Sequence, residues 1–583
     1  MAFNTSRLAR SLVAFAVPLT VALPALAGLP GAIDRLPTDA LAVISIRSVS
    51  ELKADLDQMG NKLPPLKEAL ASGPIGMILA IPGMNAEGSV AAAFVGSELD
   101  FDAAQPPMVA VIPVKDAKQF FTGIGASASG DTYTADFDGN PAYLRDIGGG
   151  FVAMAPTAEL LASFDGKPGK GAAHSKRLGS NGSALAETAD LLVFADLAKL
   201  KPMIDQGMAQ MKQQMEMVAM MAGPQGDQMK QTSAMIETIA NILTSQGDLA
   251  IMGTTLSAAG VAMDFGAQFK EGTDAFKALQ VKGDSMKPLT RLPNVPYLFA
   301  MSADISSPAM KNMLTAMNAM QAQGSSFLPG AEMMDKLNAM SFVLGTSPAL
   351  MGGGLFANSV VFHQTNDAPG LLATTKDVMA KMNNTSANGM KLATTYKQAD
   401  TTIGGTPVDS WAVRMSVDPN DPNAMMAQQG MQAMFMIWGP TAGPSGYLAP
   451  SKNGVVQTLS KNSMLLEKSL QVASDGNGLG ADKTLAATAT QLPSDRSAEM
   501  YLGVGEIIKT AAGFAAMMGM PMEFAVKDNL PPVGMSMSTS GGAASGRLFV
   551  PMDVITTVAD IQKQMQGDMG DPMDDGDGSK PRF

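Results

Sequence analysis

Short aliphatic runs along this chain alternate with segments in which apolar residues recur at helical spacing. The run from Leu36 to Ile46 is rich in aliphatic and β-branched residues, and its early proline suits a strand start, so it predicts a β-strand. The segment from Val49 to Met59 places its large apolar residues on one face, which predicts a helix with Ser50 as its N-cap. A unit of one strand followed by one helix recurs along the chain.

The order of these predicted elements occurs twice. A first series of strands and helices starts at Leu36 and includes a hairpin turn at Asp138-Gly139. A similar series starts at Leu292 and turns at Gly404-Gly405. The sequence therefore predicts an α+β fold of two duplicated halves, each a mainly antiparallel sheet with helices packed on one face. Chance alignment of short apolar runs is the alternative explanation.

Four regions follow from this pattern. Residues 1–27 are predicted as a signal peptide, 28–285 as the first α+β half, 286–566 as the second α+β half, and 567–583 as a disordered acidic tail. A Lys- and Gly-containing stretch at 282–288 is interpreted as the linker between the halves.

The N-terminal residues have the three parts of an export signal. Arg7 and Arg10 precede an apolar run from Leu12 to Ala22, and Ala25-Leu26-Ala27 is a small-residue cleavage site. A retained membrane anchor is the alternative, but the run is short and contains Pro18. We expect an exported protein, periplasmic or extracellular, with no transmembrane helix after cleavage.

Composition and net charge argue against disulfide stabilisation and against nucleic-acid binding. The 583 residues include no cysteine, so packing rather than disulfides must hold an exported chain of this length together. The formal net charge of −12 argues against nucleic acid as a partner, because phosphate would be repelled.

Methionine is unusually frequent, with 48 residues, and it clusters in predicted amphipathic helices. Three interpretations remain open: ordinary core packing, a groove for an apolar ligand or an envelope protein partner, and a Cu(I) site made of thioethers. The residues proposed as speculative ligand-binding positions lie at helical spacing on two of these helices: Met208, Met211, Met215, Met310, Met313 and Met317.

Catalytic motifs are not found. The two histidines, His174 and His363, are predicted to be solvated, in a loop and at a strand end respectively. Aspartates that end or flank strands, such as Asp116, Asp196 and Asp367, are interpreted as helix caps. We therefore predict no catalytic residue, no metal ligand and no cofactor, and no enzymatic activity.

The Leu36-Pro37-Thr38-Asp39 opening with its strand and helix, together with Gly139-Asn140-Pro141, resembles a family of exported bacterial proteins of unknown function. Leu492-Pro493-Ser494-Asp495 repeats the leucine-proline-x-aspartate motif late in the chain. The resemblance implies an exported α+β protein and supplies no active residues. The expected function is binding of an apolar ligand or protein partner through methionine-rich helices, with a structural envelope scaffold or, less favoured, periplasmic Cu(I) handling as alternatives.

Overall fold

Antiparallel strands and helices together make up the fold, as the sequence predicts for the α+β class. The computed structural model describes residues 29–63, 80–96, 106–137, 139–221, 226–280, 284–306, 311, 331–347, 354–387, 389–421, 424–439, 443–517, 519 and 524–568. The predicted signal peptide and acidic tail lie outside these residues.

Twenty-one strands are described. Those of the first half of the chain are β1 (Ala42–Ile46), β2 (Val90–Phe94), β3 (Met108–Pro113), β4 (Ser127–Ser129), β5 (Thr132–Phe137), β6 (Asn140–Gly148), β7 (Phe151–Ala155), β8 (Leu191–Asp196), β9 (Gly247–Ser257) and β10 (Gly260–Phe269). Those of the second half are β11 (Tyr297–Asp304), β12 (Ala339–Gly345), β13 (Val360–Gln364), β14 (Ser386–Ala387), β15 (Met390–Ile403), β16 (Thr406–Val417), β17 (Ser445–Ser451), β18 (Gly454–Thr458), β19 (Ala498–Leu502), β20 (Val533–Ser540) and β21 (Ala543–Pro551).

The α-helices fill the connections between these strands. In chain order they are α1 (Val49–Lys62), α2 (Ala117–Gly123), α3 (Ala158–Ser163), α4 (Gly171–Thr188), α5 (Leu197–Met221), α6 (Gly226–Gln246), α7 (Asp274–Ala278), α8 (Met286–Leu289), α9 (Ala331–Met334), α10 (Ala368–Met382), α11 (Ala424–Trp438), α12 (Ser463–Asp475), α13 (Lys483–Ala489), α14 (Val504–Met517) and α15 (Met552–Asp568).

All the strands belong to one sheet, and every described pairing is antiparallel. The pairings give the spatial order β4-β5-β6-β7-β3-β2-β1-β8-β9-β10-β21-β20-β19-β11-β12-β13-β18-β17-β16-β15-β14. The two parts of the chain therefore meet along β10 and β21. Asp264 and Arg547 are directly opposite each other at this junction and form an ion pair with an Nε–Oδ1 distance of 2.7 Å.

The first strand and helix are both present, but the strand is shorter than predicted, Ala42–Ile46 instead of Leu36 to Ile46, and the helix cap differs. The Oγ of Ser48, rather than Ser50, accepts a hydrogen bond from the Glu51 N–H and starts α1. Leu52, Leu56 and Met59 are buried on one face of this helix, as their spacing predicts.

Helices cover both faces of the sheet, so the prediction of helices on one face is wrong. We call the face that carries Phe194 and Phe362 the first face, and the face that carries Ile44 and Val361 the second face. On the first face, α4 and α12 bury apolar clusters in the two halves. On the second face, α1 and α15 share one cluster and α10 packs in another. The strands in these regions are consequently covered by helices on both faces of the sheet.

The predicted linker is only partly described. Ser285 is fully buried and residues Met286–Leu289 form α8, which packs into the apolar cluster of the first face. The part of this segment that the structure describes therefore belongs to the packed core.

Candidate functional site

Both histidines are buried, contrary to the prediction that they are solvated. His174 lies in α4 with its Nε2 atom 3.2 Å from the carbonyl oxygen of Leu36, and His363 lies in β13 with its Nε2 atom 2.8 Å from Gln457 Oε1. Burial lowers the pKa of each imidazole, so both rings are neutral near pH 7. They belong to different halves of the sheet and cannot act together.

The strand-end aspartates cap helices, as predicted. Asp116 accepts a hydrogen bond from the Gln119 N–H at 3.0 Å, and Asp367 accepts one from the Gly370 N–H at 2.9 Å. These backbone bonds lower the pKa of Asp367. The carboxylates are therefore occupied in holding helix N-termini.

The candidate methionines of the first predicted helix lie on α5. Met208, Met211 and Met215 are half-buried, whereas most of their neighbours on this helix are exposed. Helix α5 pairs with α6, and Lys212 and Glu237 form an ion pair between them. Three other candidates lie outside the described residues: Met310, Met313 and Met317.

A strip of six apolar side chains, three of them methionines, lies on strands at the centre of the sheet. We call it the methionine face; its six members come from six successive strands of the second face: Val193, Met252, Phe265, Leu548, Met535 and Met500. Val193 is opposite Met252, which is opposite Phe265. Leu548 is opposite Met535, which is opposite Met500. The two rows of three meet diagonally between β10 and β21, because Phe265 is opposite the residue two positions before Leu548, a separation that an aromatic ring can span.

This strip is open to solvent. Met252 is 44 % exposed and Phe265 is 42 % exposed, and the other four members are half-buried. Leu502 continues the strip at one end of β19 and is 41 % exposed. Contiguous apolar exposure of this kind marks ligand or interaction surfaces more often than isolated exposed residues do.

Packed helices limit the strip at one end of the central strands. There, α1 and α15 cover Leu256 and Val261. Beside the strip, Leu200 of α5 packs against a cluster that contains Phe94 of β2 and Ala195 of β8. The methionine face is therefore bounded by α1 and α15 at one end of its strands.

A glycine keeps the strip continuous where the two halves meet. Gly546 is opposite Phe265, and a Cβ atom at this position would collide with the phenylalanine ring. The ring of Phe265 thus lies over the backbone of β21, in the space that a larger residue would occupy.

The opposite side of the same strands is polar and buried. Ser302, Glu499, Ser536, Arg547 and Asp264 are successive cross-strand neighbours on the first face. The buried carboxylate in this row is Glu499, whose Oε2 atom accepts hydrogen bonds from Arg496 Nε at 2.6 Å and Tyr501 Oη at 2.7 Å.

A second charge cluster, around the buried Asp190, joins α1 to the sheet. Arg47 pairs with Glu51 at 2.9 Å and with Asp190 at 3.2 Å, and the second oxygen of Asp190 accepts a hydrogen bond from the Leu256 N–H. Burial raises the pKa of Asp190 to about 7 and that of Asp55 to about 6, although Arg47 partly opposes both shifts. This cluster anchors the helix that limits one end of the methionine face.

The described part of the chain shows neither a metal-binding group of side chains nor a membrane-spanning helix. No group of three or more His, Cys, Asp or Glu side chains there is arranged to hold a metal ion. Within the same ranges, none of the helices combines the length and apolar character needed to cross a bilayer.

Comparison with protein-family models, with curated proteins and with solved structures finds no match for this chain. The site must therefore be interpreted from its own geometry.

Sequence reasoning missed the methionine face because it followed methionine on helices. The signal was present in β20, where Met535 and Met537 alternate with Ser536 and Ser538. An alternating strand normally buries its apolar side and exposes its polar side. Here the serines are buried and the methionines are half-exposed.

Proposed function

We propose that this chain is an exported, non-enzymatic binding protein that holds a neutral acyl chain on the methionine face. The observation that carries the proposal is the reversed polarity of the central strands. Ser536 and Ser538 are buried beneath the helices of the first face, whereas Met535 and Met537 face the open side. A bound apolar occupant would remove this open side from water.

The chemistry of the strip favours an uncharged and flexible ligand. Its six side chains carry no charge and no hydrogen-bond donor, so they offer nothing to a polar head group. Unbranched methionine side chains adapt their shape to an irregular apolar surface. The strip crosses six strands, a width of roughly 24 Å at about 4.8 Å per strand, which suits an extended chain.

The helices at one end of the strip favour a ligand over a flat protein partner. Leu256 and Val261 lie under α1 and α15, so these two helices bound the strip at that end. Ligand sites are usually lined mainly by apolar side chains, as this strip is. An envelope protein partner that inserts an apolar segment is the competing occupant, and the experiment below distinguishes the two.

Export is part of the proposal and rests on the sequence. Arg7 and Arg10, the apolar run that follows and the Ala25-Leu26-Ala27 site match the parts of a signal peptide. The lack of cysteine removes disulfides but is compatible with a large sheet held by packing.

We also propose that the chain arose by an internal duplication. Counted inward from its two edges, the sheet has the order β4-β5-β6-β7-β3-β2-β1-β8-β9-β10 on one side. The order on the other side is β14-β15-β16-β17-β18-β13-β12-β11-β19-β20-β21. The two series correspond strand for strand once β17 is treated as an insertion, which supports a common ancestor of the two halves.

The experiment measures binding of diphenylhexatriene, a neutral rod that fluoresces in apolar surroundings, with methyl palmitate, an uncharged acyl ester, as competitor. The test variant is Met252→Gln/Met500→Gln, which makes two positions of the strip polar. The matched control is Met425→Gln/Met464→Gln, because these methionines are 78 % and 77 % exposed on α11 and α12. We expect the test variant to bind the probe at least about tenfold more weakly, equivalent to about 1.4 kcal/mol, and the control to bind like the wild type.

Equal binding by both variants would refute the methionine face as the ligand site. If the wild-type protein bound neither the probe nor methyl palmitate, the acyl-chain proposal would fail. Capture of an envelope protein that only the test variant lost would then identify a protein partner as the occupant.

A further inference from the structure

We propose that the methionine face is a site of oxidative modification, at which conversion of Met252, Met500 and Met535 to sulfoxides releases the bound chain. The inference rests on the proposed function, because it assigns a regulation to the same strip. Peroxide or hypohalous acid is the oxidant class, and a methionine sulfoxide reductase activity would restore the thioethers.

Accessibility and position together select these three residues, because the more exposed Met217, Met425 and Met464 lie outside the strip. Met252 is 44 % exposed, and Met500 and Met535 are half-buried on the open side of the sheet. By contrast, Met340 and Met552 are each 2 % exposed and are shielded by packing. Since the chain contains no cysteine, thioethers are its only oxidisable sulfur groups.

The reaction balances without a cofactor. A lone pair of the methionine sulfur attacks one peroxide oxygen, the S–O bond forms as the O–O bond breaks, and water is released after proton transfer. The sulfur loses two electrons and the peroxide gains them. With hypochlorous acid, chloride leaves in place of water.

The apolar surroundings of the strip explain why oxidation of a methionine would weaken binding of the acyl chain. A sulfoxide oxygen is a strong hydrogen-bond acceptor, and the six side chains of the strip provide no donor to it. Met500 and Met535 are opposite each other on adjacent strands, so two sulfoxide dipoles would lie side by side. Only water can hydrate them, and a dry acyl chain would exclude that water.

The experiment compares probe binding before and after peroxide treatment, with peptide mass mapping of each methionine. The test variant is Met252→Leu/Met500→Leu/Met535→Leu, which keeps the strip apolar but removes its thioethers. The control is Met425→Leu/Met464→Leu, which removes two more exposed thioethers outside the strip. We expect oxidised wild type and oxidised control to lose affinity for diphenylhexatriene about tenfold or more, whereas the test variant keeps its affinity.

The outcomes distinguish failure of this inference from failure of the proposed function. If reduced wild type binds the probe and oxidation of the three strip methionines leaves affinity unchanged, the inference is overturned and the proposed function stands. Protection by the control substitutions to the same degree as by the test substitutions also overturns it. If reduced wild type binds no probe, the proposed function itself fails, and this inference fails with it.

Discussion

Asp190 is a buried carboxyl whose replacement by asparagine should change the pH dependence of folding. It is 2 % exposed, and burial raises its pKa from 3.8 to about 7 although Arg47 lies 3.2 Å away. The folded protein therefore holds this proton more tightly than the unfolded chain does. Between about pH 4 and about pH 7 the unfolded chain releases this proton while the folded protein retains it, so stability falls as the pH rises. The fall ends once the pH exceeds the folded pKa and the carboxyl is ionised in both states.

The magnitude follows from the size of the pKa shift. About three pKa units correspond to about 4 kcal/mol at most, of which about 2 to 3 kcal/mol develops between about pH 5 and about pH 8. We expect Asp190→Asn, which keeps a neutral group at this position, to become more stable than the wild type by this increment as the pH rises. Neutral buried His174 and His363 act in the opposite direction below about pH 6.5, but they contribute equally to both proteins and cancel in the difference.

Urea unfolding followed by circular dichroism at several pH values measures this difference. Asp57→Asn is the matched control, because Asp57 lies on α1, is half exposed and pairs with Lys53. A difference between wild type and Asp190→Asn that stays constant from pH 5 to pH 8 would refute the reasoning. The same would be true if Asp57→Asn gave an equal pH-dependent difference.

Three further predictions concern packing. Gly546→Ala should destabilise the protein by about 1 to 3 kcal/mol, because the added methyl group displaces the Phe265 ring. Gly430→Ala, in open space on α11, should instead stabilise the protein by about 0.5 to 1 kcal/mol. Equal urea midpoints for the two variants would contradict this contrast. Arg496→Met should destabilise the fold by about 3 to 5 kcal/mol in urea unfolding, because it leaves Glu499 buried without its cation. Arg496→Met/Glu499→Leu should recover most of that stability. If the double variant recovered none of it, loss of the ion pair would not be the cause of the destabilisation. Met208→Gln/Met211→Gln/Met215→Gln should lower the thermal stability of the α5–α6 pair and leave diphenylhexatriene binding unchanged. Loss of binding without loss of stability would indicate that the ligand binds on α5.

Local elements were predictable from local chemistry. The strand and helix at the start of the chain, the helix caps at Asp116 and Asp367, and the antiparallel hairpins all depend on residues close together in sequence. Even the error at the first helix was small, because Ser48 and Ser50 are both able to cap and lie two positions apart.

The candidate site was predictable only in its chemistry. An excess of methionine suggested an adaptable apolar surface. Helical spacing pointed to Met208 and Met211, but that spacing equally describes the packed side of an amphipathic helix, and both residues are half-buried on α5, which pairs with α6. The open strip takes Met252 and Met500 from strands far apart in sequence, and no local pattern brings them together.

By itself the sequence determined the class of fold, the antiparallel hairpins and the caps, because each follows from spacing and turn chemistry within a few residues. The tertiary structure alone decided that one sheet runs through both halves, that His174 and His363 are buried, and that the methionines of β20 face the open side. The physical reason is that a strand alternates its side chains with a period of two whichever face is covered. Only the packing of distant helices against the sheet determines which set of side chains is left open.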